Sequence, residues 1–197
     1  MAPAITELSQ LNPDGVYSYA DYITWQFQER IELIKGRILT MSPAPSVRHQ
    51  RIVGAVYVQV VAHFKKRPCQ VFIAPFDVRL YNRKKSIKAS KDIFTVVQPD
   101  LCIICDEAKL DEQGCNGAPD LVVEVLSPGN TKHEMNQKFD LYRDAGVLEY
   151  WLVEPADEVV LVYVLQNDQY IGLKPMTETL TSPTFPALTL DLGEIFE

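Results

Sequence analysis

Six apolar runs of strand length follow one another from residue 69 onward, and they limit what the chain can fold into. They are "CQVFIAPFDVRLY" (69–81), "VQPDLCIICD" (97–106), "APDLVVEVLS" (118–127), "VLEYWLVE" (147–154), "EVVLVYVLQ" (158–166) and "QYIGLKPM" (169–176). Several lack strict alternation of polar and apolar residues, which marks strands covered on both faces. Helical patterns supply the cover. "SVRHQRIVGAVYVQVVAHFKKR" (46–67) repeats Val53, Val56, Tyr57, Val60 and Phe64 at three-to-four spacing, with Lys65, Lys66 and Arg67 at its C-terminal end. "TKHEMNQKFDLYRDAG" (131–146) opens on a Thr131/Glu134 capping box and stops at Gly146. A shorter helix is expected in "SYADYITWQFQE" (18–29), with Ser18 and Asp21 as its box, and a hairpin or bent strand pair about Lys35-Gly36. This order predicts an α/β chain with a mixed central sheet flanked by helices, its last hairpin at an edge.

The chain has 197 residues, 47% of them hydrophobic, enough for one sizeable core. We take residues 1–16 as an N-terminal extension and 17–197 as a single domain. The longest apolar run, "VVLVYVL", is too short to span a bilayer in a helix. The N-terminus shows no basic start followed by an apolar stretch, so a cytoplasmic location is expected. Under reducing conditions the four cysteines are expected as free thiols. Cys102 and Cys105 have CxxC spacing, but three residues along a strand turns them to opposite faces, against a zinc site.

The net charge is −7, which excludes a general nucleic-acid coat. Nine of the 19 basic residues nevertheless lie between Lys65 and Lys91, opposed there only by Asp77. Within that stretch Arg83, Lys84, Lys85, Lys88 and Lys91 read as a loop able either to hold a polyanion or simply to be solvated.

One residue breaks the apolar pattern. Glu124 sits among Val122, Val123, Val125 and Leu126. An unpaired carboxylate there would cost several kcal/mol, so it needs a partner. Asp120 shares its strand face but lies roughly 13 Å away, at about 3.3 Å per residue, and reads better as a turn or accessory group. Asp100, after Pro99 at the start of "LCIIC", could converge with Glu124 if the two strands are neighbours. Two carboxylates hold together best around a cation, and an all-oxygen set suits Mg²⁺ or Mn²⁺. In the helix after Gly129, Lys138 lies within the apolar stripe of Met135, Phe139 and Tyr142. A lysine in such a place either extends to solvent or meets an acid, and Glu124 is within plausible reach.

Pro99-Asp100 followed by Glu124 resembles the PD-(D/E)xK nuclease signature. "ELIKGRILTMSPAPSVRHQ", "VQPDLCIICD" and "PDLVVEVLSPGNTKHEMNQKFDLYRDAGVLEYWLVEP" together resemble the Uma-type restriction-endonuclease-like family. The resemblance implies the restriction-endonuclease-like fold and Mg²⁺-dependent hydrolysis of phosphodiester bonds in DNA. It implies Asp100 as the acid of the PD element, Glu124 as the first residue of ExK, and Glu32 as a further acid. The third ExK position is Leu126, so the lysine is expected on the following helix as Lys138, with Gln137 as the fallback. His49, in the "SVRHQ" match, is an accessory candidate. Tyr150 and Trp151 read as core. The alternative is a catalytically inactive nuclease-fold protein that binds nucleic acid or a protein partner. Cleavage of both strands would favour a homodimer.

Overall fold

The computed structural model describes residues 4–26, 29–41, 45–82, 90–129 and 131–197. In chain order the strands are β1 (Ile31–Ile34), β2 (Arg37–Thr40), β3 (Gln70–Ile73), β4 (Val78–Leu80), β5 (Thr95–Val97), β6 (Leu101–Ile104), β7 (Leu110–Asp111), β8 (Gly114–Asn116), β9 (Leu121–Val125), β10 (Glu149–Glu154), β11 (Val159–Gln166), β12 (Gln169–Gly172), β13 (Thr179–Thr181) and β14 (Thr189–Asp191). The α-helices are α1 (Tyr19–Tyr22), α2 (Val47–Phe64), α3 (Lys132–Ala145) and α4 (Leu192–Phe196).

The expected mixed sheet is present, in the order β12-β11-β10-β9-β6-β3. Only its β9–β10 pair is parallel, and α3 makes that crossover. A second six-stranded sheet, β2-β1-β5-β4-β8-β7, and a small β13–β14 pair were not read from the sequence. Two apolar runs taken as single strands are each broken in two. Residues 69–81 divide at Ala74-Pro75 into β3 and β4, and the run through Gln98-Pro99-Asp100 divides into β5 and β6. In both cases the proline ends hydrogen-bonded pairing, and the chain passes from one sheet to the other. The two corners are tied together by Ala74 N–H donating to the Asp100 carbonyl at 3.2 Å.

Strand alternation sorts β9 between two cores. Leu121, Val123 and Val125 face one side, where α2, Trp151 and the C-terminal Leu188, Leu190 and Ile195 pack. Val122 faces the other, with Tyr150, Leu152 and α3's Leu141, Tyr142 and Ala145, closed by Val78, Leu80 and Val97 of the second sheet. The helices therefore cover opposite faces, as their stripes predict. On α2 the buried stripe is His49, Ile52, Val56, Val60 and Phe64, so Ile52 takes the place expected for Val53. Both capping boxes form, and Gly146 ends α3 in the left-handed region at φ 95°. Helix α1 is a single turn, shorter than the 18–29 expectation.

Cys102 and Cys105 do face opposite cores. The thiols are not all free, however: Cys69 is disulfide-bonded to Cys105. In the β3–β6 ladder Gln70 pairs with Ile104, which sets the two cysteines opposite each other one step further along. Arg79, counted among the basic residues of 65–91, is buried and pairs with Asp111 at 2.6 Å instead of facing solvent.

Glu149, at the start of β10, is fully buried and has no cation beside it among the described residues. It accepts from Trp151 Nε1 at 2.6 Å, Ser182 Oγ at 2.8 Å and Thr184 N–H at 2.8 Å, which fastens the C-terminal segment to the main sheet. Glu149→Ala would orphan two buried donors and the half-buried Thr184 N–H. It should lower the unfolding free energy by about 3 kcal/mol in urea titration; a loss below about 1 kcal/mol would show that this clamp contributes little.

Candidate active site

The site grows from the corner at Gln98-Pro99-Asp100. Antiparallel pairing of β6 with β9 sets Leu101 opposite Val123, so Asp100 lies beside Glu124 on the shared face. Asp100 Oδ2 accepts the Val125 N–H at 2.8 Å. On the other side of the corner β5 pairs with β1, and Gln98 N–H donates to Glu32 Oε1 at 2.8 Å. The chain thus carries an acid from each sheet to one place.

Helix α3 closes the arrangement. Lys138 Nζ donates to Glu124 Oε1 at 2.9 Å and to Glu32 Oε1 at 3.2 Å. One helical turn further on, Tyr142 Oη donates to the same Glu124 oxygen at 2.6 Å. The helix begins only a short turn after β9, so it must pack back over the sheet that carries Glu124. From α2, His49 Nε2 faces Asp100 Oδ2 at 3.3 Å, and His49 Nδ1 is buried with no hydrogen-bond partner among the described residues.

The electrostatics follow from burial. Desolvation pushes Glu124 up to about 7, against the pull of Lys138 and reinforced by Asp100 and Glu32. Burial works against Lys138's charge, but Glu124 and Glu32 outweigh it and hold the ammonium protonated well above the usual lysine range. Burial raises the Tyr142 phenol strongly, and Glu124 adds to this, so it stays a donor. The hydrogen bond to Asp100 raises His49 despite burial.

Glu32, Asp100, Glu124, Lys138 and His49 all line one cleft of about 210 Å³. That is smaller than the roughly 300–1,000 Å³ of pockets enclosing drug-sized ligands. It admits a reacting group, not a whole molecule. The donor chemistry suits a hard cation. Asp100 Oδ2 and Glu124 Oε1 are engaged, while Asp100 Oδ1 and Glu124 Oε2 accept no hydrogen bond among the described residues. Among those residues no three His, Cys, Asp or Glu side chains group as a metal cage. Mg²⁺ needs none, being held by one or two carboxylates and its own waters.

Other candidates lie elsewhere. Asp120 is at the far end of β9, where Oδ2 accepts the Cys105 N–H at 2.7 Å, and it does not line the cleft. Its four-residue separation along an extended strand keeps it apart. Gln137 is half-buried on α3 and also outside the cleft, because one residue of helix turns it away from Lys138. Lys91 is exposed in a 3₁₀ turn at 90–92, outside the cleft lining. Arg83, Lys84, Lys85 and Lys88 lie outside the described residues. Tyr150 and Trp151 are core, as read, and the edge of Tyr150 also reaches the cleft. Sequence reasoning gave Tyr142 only a packing role and gave Gln98 none. The position of Tyr142 one turn after Lys138 was the available signal for the first, and nothing marked the second.

The sequence profile of the family described as "Uma2: Putative restriction endonuclease" matches residues 19–193. This chain belongs to the Uma2 family. Its fold is similar to that in "Crystal structure of a putative nuclease belonging to DUF820 from Anabaena variabilis ATCC 29413", with a TM-score of 0.70 at 19% identity over 91% of this chain and 97% of that one. No curated protein matches the chain. The family supports a nuclease-like function. Among the described residues no helix is long and apolar enough to cross a membrane.

Two outcomes follow from the buried charges. Because Glu124 titrates near 7 when folded and near 4.5 when unfolded, the native state holds the extra proton between those values. Its contribution to stability therefore falls as pH rises from about 4.5 to about 7 and is level above that. In chelator, Glu124→Gln should flatten that part of the urea-midpoint profile; curves parallel to wild type would contradict the assignment. Lys138→Met leaves two buried glutamates without their cation and should cost about 3 kcal/mol at neutral pH, with part of the loss recovered in acid.

Proposed function

We propose that this Uma2 member is a Mg²⁺- or Mn²⁺-dependent endodeoxyribonuclease that hydrolyses phosphodiester bonds. The observation that carries the reading is the meeting of Glu124 and Glu32 on one ammonium, with Asp100 in the same small cleft. Asp100 and Glu124 would hold the cation through the oxygens that accept no hydrogen bond. The ion would supply an acidified water and offset charge on the phosphoryl group.

The chain's own residues organise that cleft. Val125 N–H and His49 hold Asp100 Oδ2, so that its other oxygen is the one that would meet the ion. Tyr142 and Lys138 do the same for Glu124. Lys138 stands in for the strand lysine that Leu126 replaces, and Leu126 is itself in the cleft wall. Its ammonium is the cleft's buried positive charge, suited to orienting a water and to opposing charge on a reacting phosphate. Glu32 fixes that ammonium from the second sheet. Arg83, Lys84, Lys85, Lys88 and Lys91 would hold the DNA backbone. Two copies, as a homodimer in the cytoplasm, would cut both strands.

A second reading, an inactive nuclease fold that only binds nucleic acid or a protein partner, is favoured by one feature: Lys138 is already engaged by two carboxylates. Plasmid nicking separates the two. Wild type should nick supercoiled DNA with Mg²⁺ or Mn²⁺, and Glu124→Ala and Lys138→Met should lose at least about a hundredfold in rate. Equal nicking by all three would reject the mechanism. Absent nicking, together with calorimetric Mg²⁺ binding lost in Glu124→Ala, would favour the inactive binder.

A further inference from the structure

Arg30 precedes Glu32 by two residues, and Met41 N–H donates to its carbonyl as the β1–β2 ladder runs out. On an extended strand the two side chains therefore share a face. Arg30 also lines the cleft that holds Glu32, Asp100, Glu124 and Lys138. We infer that Arg30 is a substrate-binding residue, its guanidinium gripping a backbone phosphate of the nucleic-acid strand beside the acidic centre. This rests on the nuclease reading above.

The argument starts from what Arg30 is bonded to. Its Nε and Nη2 both donate to Gln98 Oε1, at 3.1 and 2.9 Å. Gln98 is neutral, and among the described residues no carboxylate lies within ion-pair distance of Arg30. The other basic groups of the cleft already face acids: Lys138 two glutamates, and His49 Asp100. Arg30 thus brings an uncompensated positive charge to a cleft rich in acids, where a polyanionic substrate would otherwise be repelled.

Its geometry fits the same role. The bonds to Gln98 occupy the Nε side of the guanidinium, and among the described residues the Nη1 hydrogens and one on Nη2 have no acceptor. That remaining edge is the fork that takes two oxygens of one phosphate. Gln98 is itself anchored, its Nε2 donating to Asp77 Oδ1 at 2.8 Å, and Tyr22 Oη donates to the same oxygen at 3.2 Å. The Gln98 main-chain N–H holds Glu32. One residue thereby sets the guanidinium through its side chain and the acid through its backbone, and fixes their separation. Restraining the arginine beforehand reduces the ordering cost of binding. Gln98 is a positioning residue in this scheme.

The test uses the full chain and a fluorescent DNA duplex of random sequence, titrated over a salt series in chelator, where no turnover occurs. Arg30→Gln should bind about tenfold more weakly, with a slope of log K against log[salt] smaller by about one phosphate contact. Arg30→Lys should keep the slope and recover part of the affinity, because the charge remains and the fork is lost. Gln98→Met leaves the main-chain bond to Glu32 intact and frees the arginine. It should weaken binding several-fold with an unchanged slope, and it carries the test should Arg30→Gln fail to fold by circular dichroism. In Mg²⁺ the Arg30→Gln effect on cleavage should fall mainly on KM. Wild-type affinity and slope in Arg30→Gln would overturn the role of Arg30 while leaving the nuclease reading in place. Wild type that neither binds nor cuts DNA would overturn both.

Discussion

A single ammonium shared between two buried glutamates organises this molecule. Lys138 comes from a helix, Glu124 from one sheet and Glu32 from the other, so the contact ties three layers at one point. It is also electrostatically incomplete. Two carboxylates face one lysine, with only a phenol and a backbone N–H in addition among the described residues, and burial leaves Glu124 holding its proton close to neutrality. A stability-driven core would have replaced such a cluster with apolar side chains of similar volume. On the proposed function, the chemistry of the cleft that the cluster lines accounts for its presence.

The architecture serves that point. Two prolines interrupt apolar runs, and at each the chain leaves one sheet for the other. The second crossing, Gln98-Pro99-Asp100, is where neighbouring residues reach different parts of the site. Gln98 holds Glu32 and Arg30 on one side, and Asp100 lies beside Glu124 on the other. Strain is not needed to hold it: the corner is pinned by ordinary hydrogen bonds to Ala74 and Val125. The Uma2 family match spans this corner, and the proline and acid there are the pair that resembles a PD element in the sequence.

Much of the site could be read from local pattern. A carboxylate amid valines demands a partner, and a lysine in the apolar stripe of the next helix has few places to go; the two meet at 2.9 Å. The neighbouring placement of Asp100 was conditional on strand order, and the β6–β9 pairing supplies it. Glu32 was legible only through resemblance, because nothing in "IELIKG" says that a second sheet will carry it inward. Arg30 and Gln98 were not legible at all, since their significance lies in contacts across 68 residues of chain. The Cys69–Cys105 pairing was missed because it depends on strand register, and the α2 stripe was misjudged by one residue because Ile52 and Val53 fit a helical period almost equally.

Local pattern was enough to mark the main strand-forming runs, where α2 and α3 begin and end, and that an acid and a lysine would be forced into the interior. These follow from side-chain period, capping residues and the cost of burying charge, all of which act over a few residues. The splitting of runs into separate strands, the division into two main sheets, their meeting at the Pro99 corner, and the arrival of Glu32, Arg30 and His49 at the cleft that holds Glu124 come from long-range packing. Such contacts depend on strand order and register. Many arrangements satisfy the same local preferences, and the choice among them is made by packing the whole core at once.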